Sequence, residues 1–287
     1  MAALALPVAL LLGAVSDLAA GLASRLTGGS RAWWRPVTGV WDEARRLVRV
    51  RPRLRPTAIE ALGSAAAAVG GGLATAGALG VVPGSAALVY PSLALAVAGL
   101  RLAEPLRAPA GEAEPAAGRR DTLFAEPALV VALGALLLRW RAFDLDAIRA
   151  SQTVLGPGIS VGPTVAAVAV GAAGLAAVAA AALRVGSGTD PIRRIRQSRV
   201  AGGWLLRTVA RWSVAGSTAL VVAALVAGHR LDASPGALPF VGAAVAASVI
   251  LGLFAAALRG ARPRWRLAVS VVALLVAGGA AVLMVVS

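Results

Sequence analysis

Eight runs of largely apolar residues, separated by polar segments of unequal length, form the main pattern of this sequence. Each run is close to the ~20 residues that a helix needs to cross a hydrocarbon core. Ala, Val, Leu and Gly dominate the runs, and small residues let neighbouring transmembrane helices pack closely. The pattern therefore predicts an all-α polytopic membrane protein with about eight transmembrane helices in a single integral membrane domain, 1–287. The predicted spans are 1–22, 59–82, 84–100, 122–140, 162–183, 204–228, 240–258 and 267–286.

Arginines set the predicted orientation of these spans. All 28 basic residues are arginine, and 24 of them lie in or beside the segments that follow the odd-numbered spans. Basic residues concentrate on the cytoplasmic side of a membrane. We therefore expect 24–56, 104–121, 186–203 and 259–266 to be cytoplasmic and both termini to be external, in the inner membrane of a bacterium. The lack of lysine is typical of a GC-rich genome. The first span has no basic leader or convincing cleavage site, so we expect it to be retained.

Composition excludes several classes of protein. With 59% hydrophobic residues and a mean hydropathy of +0.80, the chain is not a soluble domain. The net charge of +15 comes from arginines between spans, so membrane orientation explains it better than nucleic acid does. The chain has no cysteine and one histidine, His229, so it holds no iron–sulfur cluster of its own and a zinc site is not expected. The glycine-rich run 69–72 lies in an apolar span, where it favours close helix packing over phosphate binding.

Four charged residues inside the predicted spans are candidates for proton or charge coupling, and Arg120 and Asp121, just before the fourth span, are two more. Asp17 lies about three-quarters along the first span, where it is either a proton or partner contact or a carboxylate near the interface. Arg207 and Arg211 lie four apart on one helical face, and they either snorkel to the interface or line a wet cleft. Glu126 lies about one turn inside the fourth span.

Two interpretations of Glu126 are open. A carboxylate in hydrocarbon costs roughly 3 kcal/mol on insertion-based scales, so it faces protein or a wet cavity. Arg119 or Arg120 is within reach of it in this interpretation, and its protonation then responds to movement of that pair. Alternatively, Glu126 is a helix N-terminal carboxylate stabilised by the macrodipole, with Pro127 at a position that first turns tolerate.

The segment 24–56 combines nine arginines with three tryptophans. Within it, 40–50 places Val40, Ala44, Leu47 and Val48 on one face, which predicts a short amphipathic helix along the membrane surface. The cytoplasmic segments would converge into one basic surface. It serves either anionic lipid, at about 1 kcal/mol per arginine, or a soluble protein partner.

An ordered set of motifs resembles the subunit 1 family of respiratory complex I, especially its relatives in membrane-bound nickel–iron hydrogenases and formate hydrogenlyases. Arg120-Asp121 followed by Ala125-Glu126-Pro127-Ala128-Leu129 resembles the family's Ser-Arg-Glu and Glu-Pro-Ala-Leu motif, with Asp121 where the family has Glu. The run 93–100 is similar to the preceding span, and 264–267 to the closing turn. The order of residues in the first large polar segment is also similar: Gly21, Arg25, Arg35, Pro36, Asp42, Arg45 and Leu47. In 190–196 this chain has arginines where the family has an acidic, histidine-containing loop.

The resemblance implies a non-catalytic membrane anchor subunit of a modular oxidoreductase. It implies that the chain seats a peripheral iron–sulfur arm and links it to antiporter-like membrane subunits. Iron–sulfur and nickel–iron centres would be on the hydrogenase-like large and small subunits, with a quinone at the interface. The docking candidates are Arg25, Trp33, Trp34, Arg35, Trp41, Asp42, Arg45, Arg193, Arg194 and Arg196. The other function that we weigh is a free-standing transporter or channel whose path passes Asp17, Glu126 and Arg207.

Overall fold

The computed structural model describes eight α-helices and the short turns beside three of them. The residues described are 2–28, 58–79, 86–103, 123–139, 163–186, 201–227, 234–259 and 261–286. The helices are α1 (Ala2–Gly28), α2 (Ala58–Ala78), α3 (Ala86–Ala103), α4 (Ala125–Arg139), α5 (Pro163–Gly186), α6 (Ala201–Ala227), α7 (Ser234–Arg259) and α8 (Pro263–Val286). The prediction of an all-α chain with eight helices is confirmed for these residues.

Five of the described helices contain a segment long and apolar enough to cross a membrane. These segments lie in α1, α2, α6, α7 and α8. In α3, α4 and α5 the apolar parts are shorter, at Leu88–Ala103, Ala125–Leu137 and Val168–Leu183. The chain is thus a helical bundle with the character of a membrane protein.

Helix ends differ from the ends of the apolar runs. The third span was expected to end at residue 100, yet α3 continues to Ala103 and so includes Arg101. A cation is favourable in the last turn of a helix, because it lies near the free carbonyl groups. Likewise, α8 begins at Pro263, ahead of its predicted start at residue 267. Proline is well suited to the first helical position. Hydropathy therefore located the helices, while local backbone chemistry fixed their ends.

α6 lies at the centre of the bundle. It packs against α1, α2, α3, α4, α5 and α7, whereas α8 packs mainly on α4 and α5. The apolar segment of α6 is 78% buried, compared with 28% for that of α8. The interior of the bundle is therefore built around α6, and much of α8 faces outward.

Small residues let the backbones approach closely around α6. A side chain at Gly216 would overlap the backbone carbonyl of Ala9 in α1, and one at Gly13 would overlap the backbone of Trp212. In α2, Gly71 packs against Ser213, whose hydroxyl donates to the carbonyl of Ala67 at 3.2 Å. This contact confirms the packing role predicted for the glycine-rich run 69–72. Because apolar side chains gain little by leaving lipid for protein, such close packing and interhelical hydrogen bonds are what hold membrane helices together.

We expect Gly216→Ala to destabilise the bundle, because the new methyl group would force α1 away from α6. Overpacking of this kind costs about 1–3 kcal/mol. Gly242→Ala in α7 is the matched control, since a Cβ there meets nothing within 4 Å. Thermal unfolding in detergent should show a lower midpoint for the first variant and an unchanged or higher one for the second. Equal midpoints would contradict the close α1–α6 packing.

Candidate functional site

A carboxylate, an indole and a guanidinium meet where α1 crosses α6. Trp212 Nε1 donates to Asp17 Oδ2 at 2.6 Å, and Arg211 Nη2 lies 3.5 Å from Asp17 Oδ1. The Arg211 and Asp17 side chains are only 14% and 19% exposed. The structure thus brings together two of the predicted charged residues across 194 positions of sequence.

Burial makes this pair strongly interdependent. Removing one partner of a buried ion pair leaves an uncompensated charge, which is far more costly than losing a surface pair. Arg211 Nε is also buried and has no hydrogen-bond acceptor. The guanidinium therefore relies on the Asp17 carboxylate to offset its charge inside the bundle.

A second ion pair joins the end of α3 to the start of α4. Arg101 Nε lies 2.5 Å from Glu126 Oε1, and these side chains are 49% and 32% exposed. Glu126 is in the first turn of α4, which agrees with the second of its two interpretations, a helix N-terminal carboxylate. Its partner in the structure is Arg101, which the apolar pattern had assigned to the polar segment between spans. Arg119, Arg120 and Asp121 lie outside the described residues.

Both ion pairs lie at the same end of the bundle. Gly63 of α2 packs against the backbone of Gly99 and Ala103, close to Arg101. One turn further along α2, the carbonyl of Ala67 accepts from Ser213, which is two residues after Arg211. The two pairs are therefore about one helical turn apart in depth, or roughly 5 Å.

The distribution of charge over the described helices is strongly one-sided. Their acidic residues, Asp17, Glu60 and Glu126, are all found near the end of the bundle where the ion pairs lie. Arg139, the last residue of α4, is at the opposite end from Glu126. The arginine-rich segments 29–57 and 187–200 join the helix ends at this charged end, which we call the basic end of the bundle.

Most of the predicted docking residues lie outside the described residues. Arg25 and Arg207 are within α1 and α6, but the structure does not describe their side chains. The remainder, with the predicted amphipathic helix at 40–50, fall in segments that are not described: Trp33, Trp34, Arg35, Trp41, Asp42, Arg45, Arg193, Arg194 and Arg196. Their convergence on one surface stays a prediction.

Sequence analysis missed Arg101 and Trp212. The start of a helix near Glu126 was predicted. The residue that pairs with Glu126, however, is Arg101 of the preceding helix. The sequence did hold a signal for Trp212, because a buried indole N–H needs an acceptor and Asp17 is one of the few carboxylates in the apolar runs.

The described residues hold no group of three or more histidine, cysteine or acidic side chains that could bind a metal ion. A small apolar cavity lies beside Tyr90, lined by residues that include Leu93, Leu133 and Val221. Its volume of about 10 Å³ has room for roughly one water molecule.

We expect Asp17→Asn to lower the free energy of unfolding by about 3 kcal/mol, because it leaves Arg211 buried without a countercharge. Glu126→Gln should cost under about 1 kcal/mol, since that pair is partly exposed. Reversible denaturant titration in detergent measures both. Adding Arg211→Gln to Asp17→Asn should recover part of the loss. Equal costs for the two single variants, or strictly additive costs in the double variant, would show that the inner pair is not coupled.

Comparison with known proteins does not assign the chain to a family. No protein-family model matches it, and no curated protein does so either.

Proposed function

We propose that this chain is a non-catalytic membrane subunit that seats a peripheral oxidoreductase arm on its basic end. In this proposal the basic end faces the cytoplasm, both termini are external, and the membrane is the inner membrane of a bacterium. The chain couples the peripheral arm to neighbouring antiporter-like membrane subunits. The motif resemblance to the subunit 1 family of complex I supports this class of complex, in its hydrogenase and formate hydrogenlyase branch.

The one-sided charge of the bundle is the observation that carries this proposal. Two ion pairs and all the described acidic residues lie near one end, where the long arginine-rich segments join the helices. A basic surface supplies electrostatic attraction and orientation to an acidic protein partner.

The Glu-Pro-Ala-Leu motif of the resemblance begins α4 at that same end. Its carboxylate, Glu126, is joined to α3 through Arg101. This ion pair would transmit a change in the partner, because movement of either helix alters the charge balance at Glu126.

In this proposal the redox centres belong to the partner subunits. Iron–sulfur clusters are held mainly by cysteine thiolates, and this chain has no cysteine. The cavity beside Tyr90 is too small for a quinone ring, so a quinone would bind at the interface with the partner subunits, as the resemblance implies.

Affinity purification of the tagged full chain from native membranes tests the proposal. Iron–sulfur proteins should co-purify with it. Replacing Arg193, Arg194 and Arg196 with Gln should reduce the amount of these partners at least severalfold, because it removes three positive charges from a predicted docking segment.

The matched control exchanges three arginines of the other side, Arg139, Arg141 and Arg149, for Gln. This variant should retain its partners. Recovery of the wild-type chain alone, without any iron–sulfur protein, would refute the proposal. Equal loss in both triple variants would refute the docking role of 193–196.

A free-standing transporter is the second candidate, and the buried Asp17–Arg211 pair is the observation that favours it. Ionisable residues within membrane spans often mark ion or substrate pathways. The two candidates differ in what the purified chain does alone in liposomes. The anchor proposal expects no proton flux above that of empty liposomes. Flux that is abolished by Asp17→Asn, but retained in Glu60→Gln at the same end, would instead establish transport.

A further inference from the structure

We propose that the turn between α7 and α8 binds the headgroup of an anionic phospholipid, with the lipid chains lying along the outer face of α8. The site consists of Arg262, Arg264 and Trp265, with Leu267 and Val272 below them. It is independent of the proposed function, because it concerns the lipid around this chain and requires no protein partner.

Backbone and side-chain hydrogen bonds fix this turn. Trp265 N donates to the carbonyl of Arg262 at 2.9 Å, which begins the first turn of α8. Arg266 Nε donates to the carbonyl of Ala261 at 3.2 Å. Arg266 therefore stabilises the turn, while Arg262 and Arg264 are exposed around it.

Among the residues that the structure describes, no carboxylate balances the positive charge of the turn. The stretch 234–286, which contains both α7 and α8, has no aspartate or glutamate. Within the part of the chain that the structure describes, the carboxylates of Asp17 and Glu126 are paired with Arg211 and Arg101. Neither of the exposed arginines of the turn forms an ion pair with a described carboxylate. An external anion is the group that would complement them.

Apolar surface begins next to these charges. Trp265 is 66% exposed, and Leu267, Val272 and Leu275 are exposed on the following turns of α8. Tryptophan is enriched at the membrane–water interface, because its ring is apolar and its N–H is polar. Cations, an interfacial aromatic residue and an apolar face therefore follow one another along the turn and α8. This is the order of the headgroup, the interfacial region and the acyl chains of a phospholipid.

This order distinguishes a lipid from other anions. A soluble acidic protein or a free phosphate ion would use the arginines alone, and neither would cover the apolar residues below them. The outer position of α8, which packs mainly on α4 and α5, keeps this face on the surface of the bundle.

Native mass spectrometry of the full chain in detergent tests the site by titration with phosphatidylglycerol or phosphatidylcholine. The double variant Arg262→Gln/Arg264→Gln should bind phosphatidylglycerol about thirtyfold more weakly, because each arginine near a membrane surface contributes to the attraction of anionic lipid. Binding of phosphatidylcholine should be unchanged. Arg262→Lys/Arg264→Lys should stay near wild type, since it keeps both charges.

Arg139→Gln, at the opposite end of α4 from Glu126, is the control for general loss of charge and should bind as wild type does. Unchanged phosphatidylglycerol binding in the double variant would overturn the proposal, as would an equal loss for both lipids. Competition by glycerol 3-phosphate as strong as that by the lipid would reveal a simple anion site and would also overturn it. Should the double variant fail to fold, Arg264→Gln alone, with an expected loss of about fivefold, decides the question.

Discussion

Close backbone contact with α6 is the constraint on which the rest of the bundle depends. A soluble protein gathers its helices by removing apolar surface from water, but lipid chains are as apolar as leucine, so that force is weak here. Contact between peptide groups takes its place, and it is possible only where side chains are very small. Gly216 against Ala9 and Gly13 against Trp212 bring α1 to this distance, while Ser213 adds a hydrogen bond to α2.

The same contact determines where charge is tolerated inside the bundle. Because Gly13 packs on the backbone of Trp212, the indole of that residue reaches the carboxylate of Asp17, one turn further along α1. Arg211, the residue before Trp212 in α6, reaches the same carboxylate. The inner ion pair is therefore a product of helix packing, whereas the Arg101–Glu126 pair lies at helix ends and is partly exposed. One pair depends on the core, and the other is free to respond to what lies outside the bundle.

Structural features that depend only on the local residue type, such as the positions of helices, can be predicted well from this sequence. Long apolar runs predicted the eight helices, and one of the two interpretations of Glu126, a helix N-terminal carboxylate, agrees with its place in the first turn of α4. The sequence did not predict which charged residues pair between helices. Arg101 is adjacent to Glu126 only because α3 and α4 run side by side, and Asp17 meets Arg211 across most of the chain. Helix ends were also displaced, as at Arg101 and Pro263, because hydropathy reports burial in lipid and not backbone hydrogen bonding. The docking surface remains a prediction from arginine content and motif order.

The Arg101–Glu126 pair has a consequence for the stretch of chain between its partners. Residues 102–125 lie between them, so the pair closes a loop of 24 residues. The entropic cost of closing a loop grows slowly, by about 0.6 kcal/mol for each doubling of its length. Insertions or deletions of a few residues in 104–122 should therefore leave the junction of α3 and α4 almost unchanged in stability.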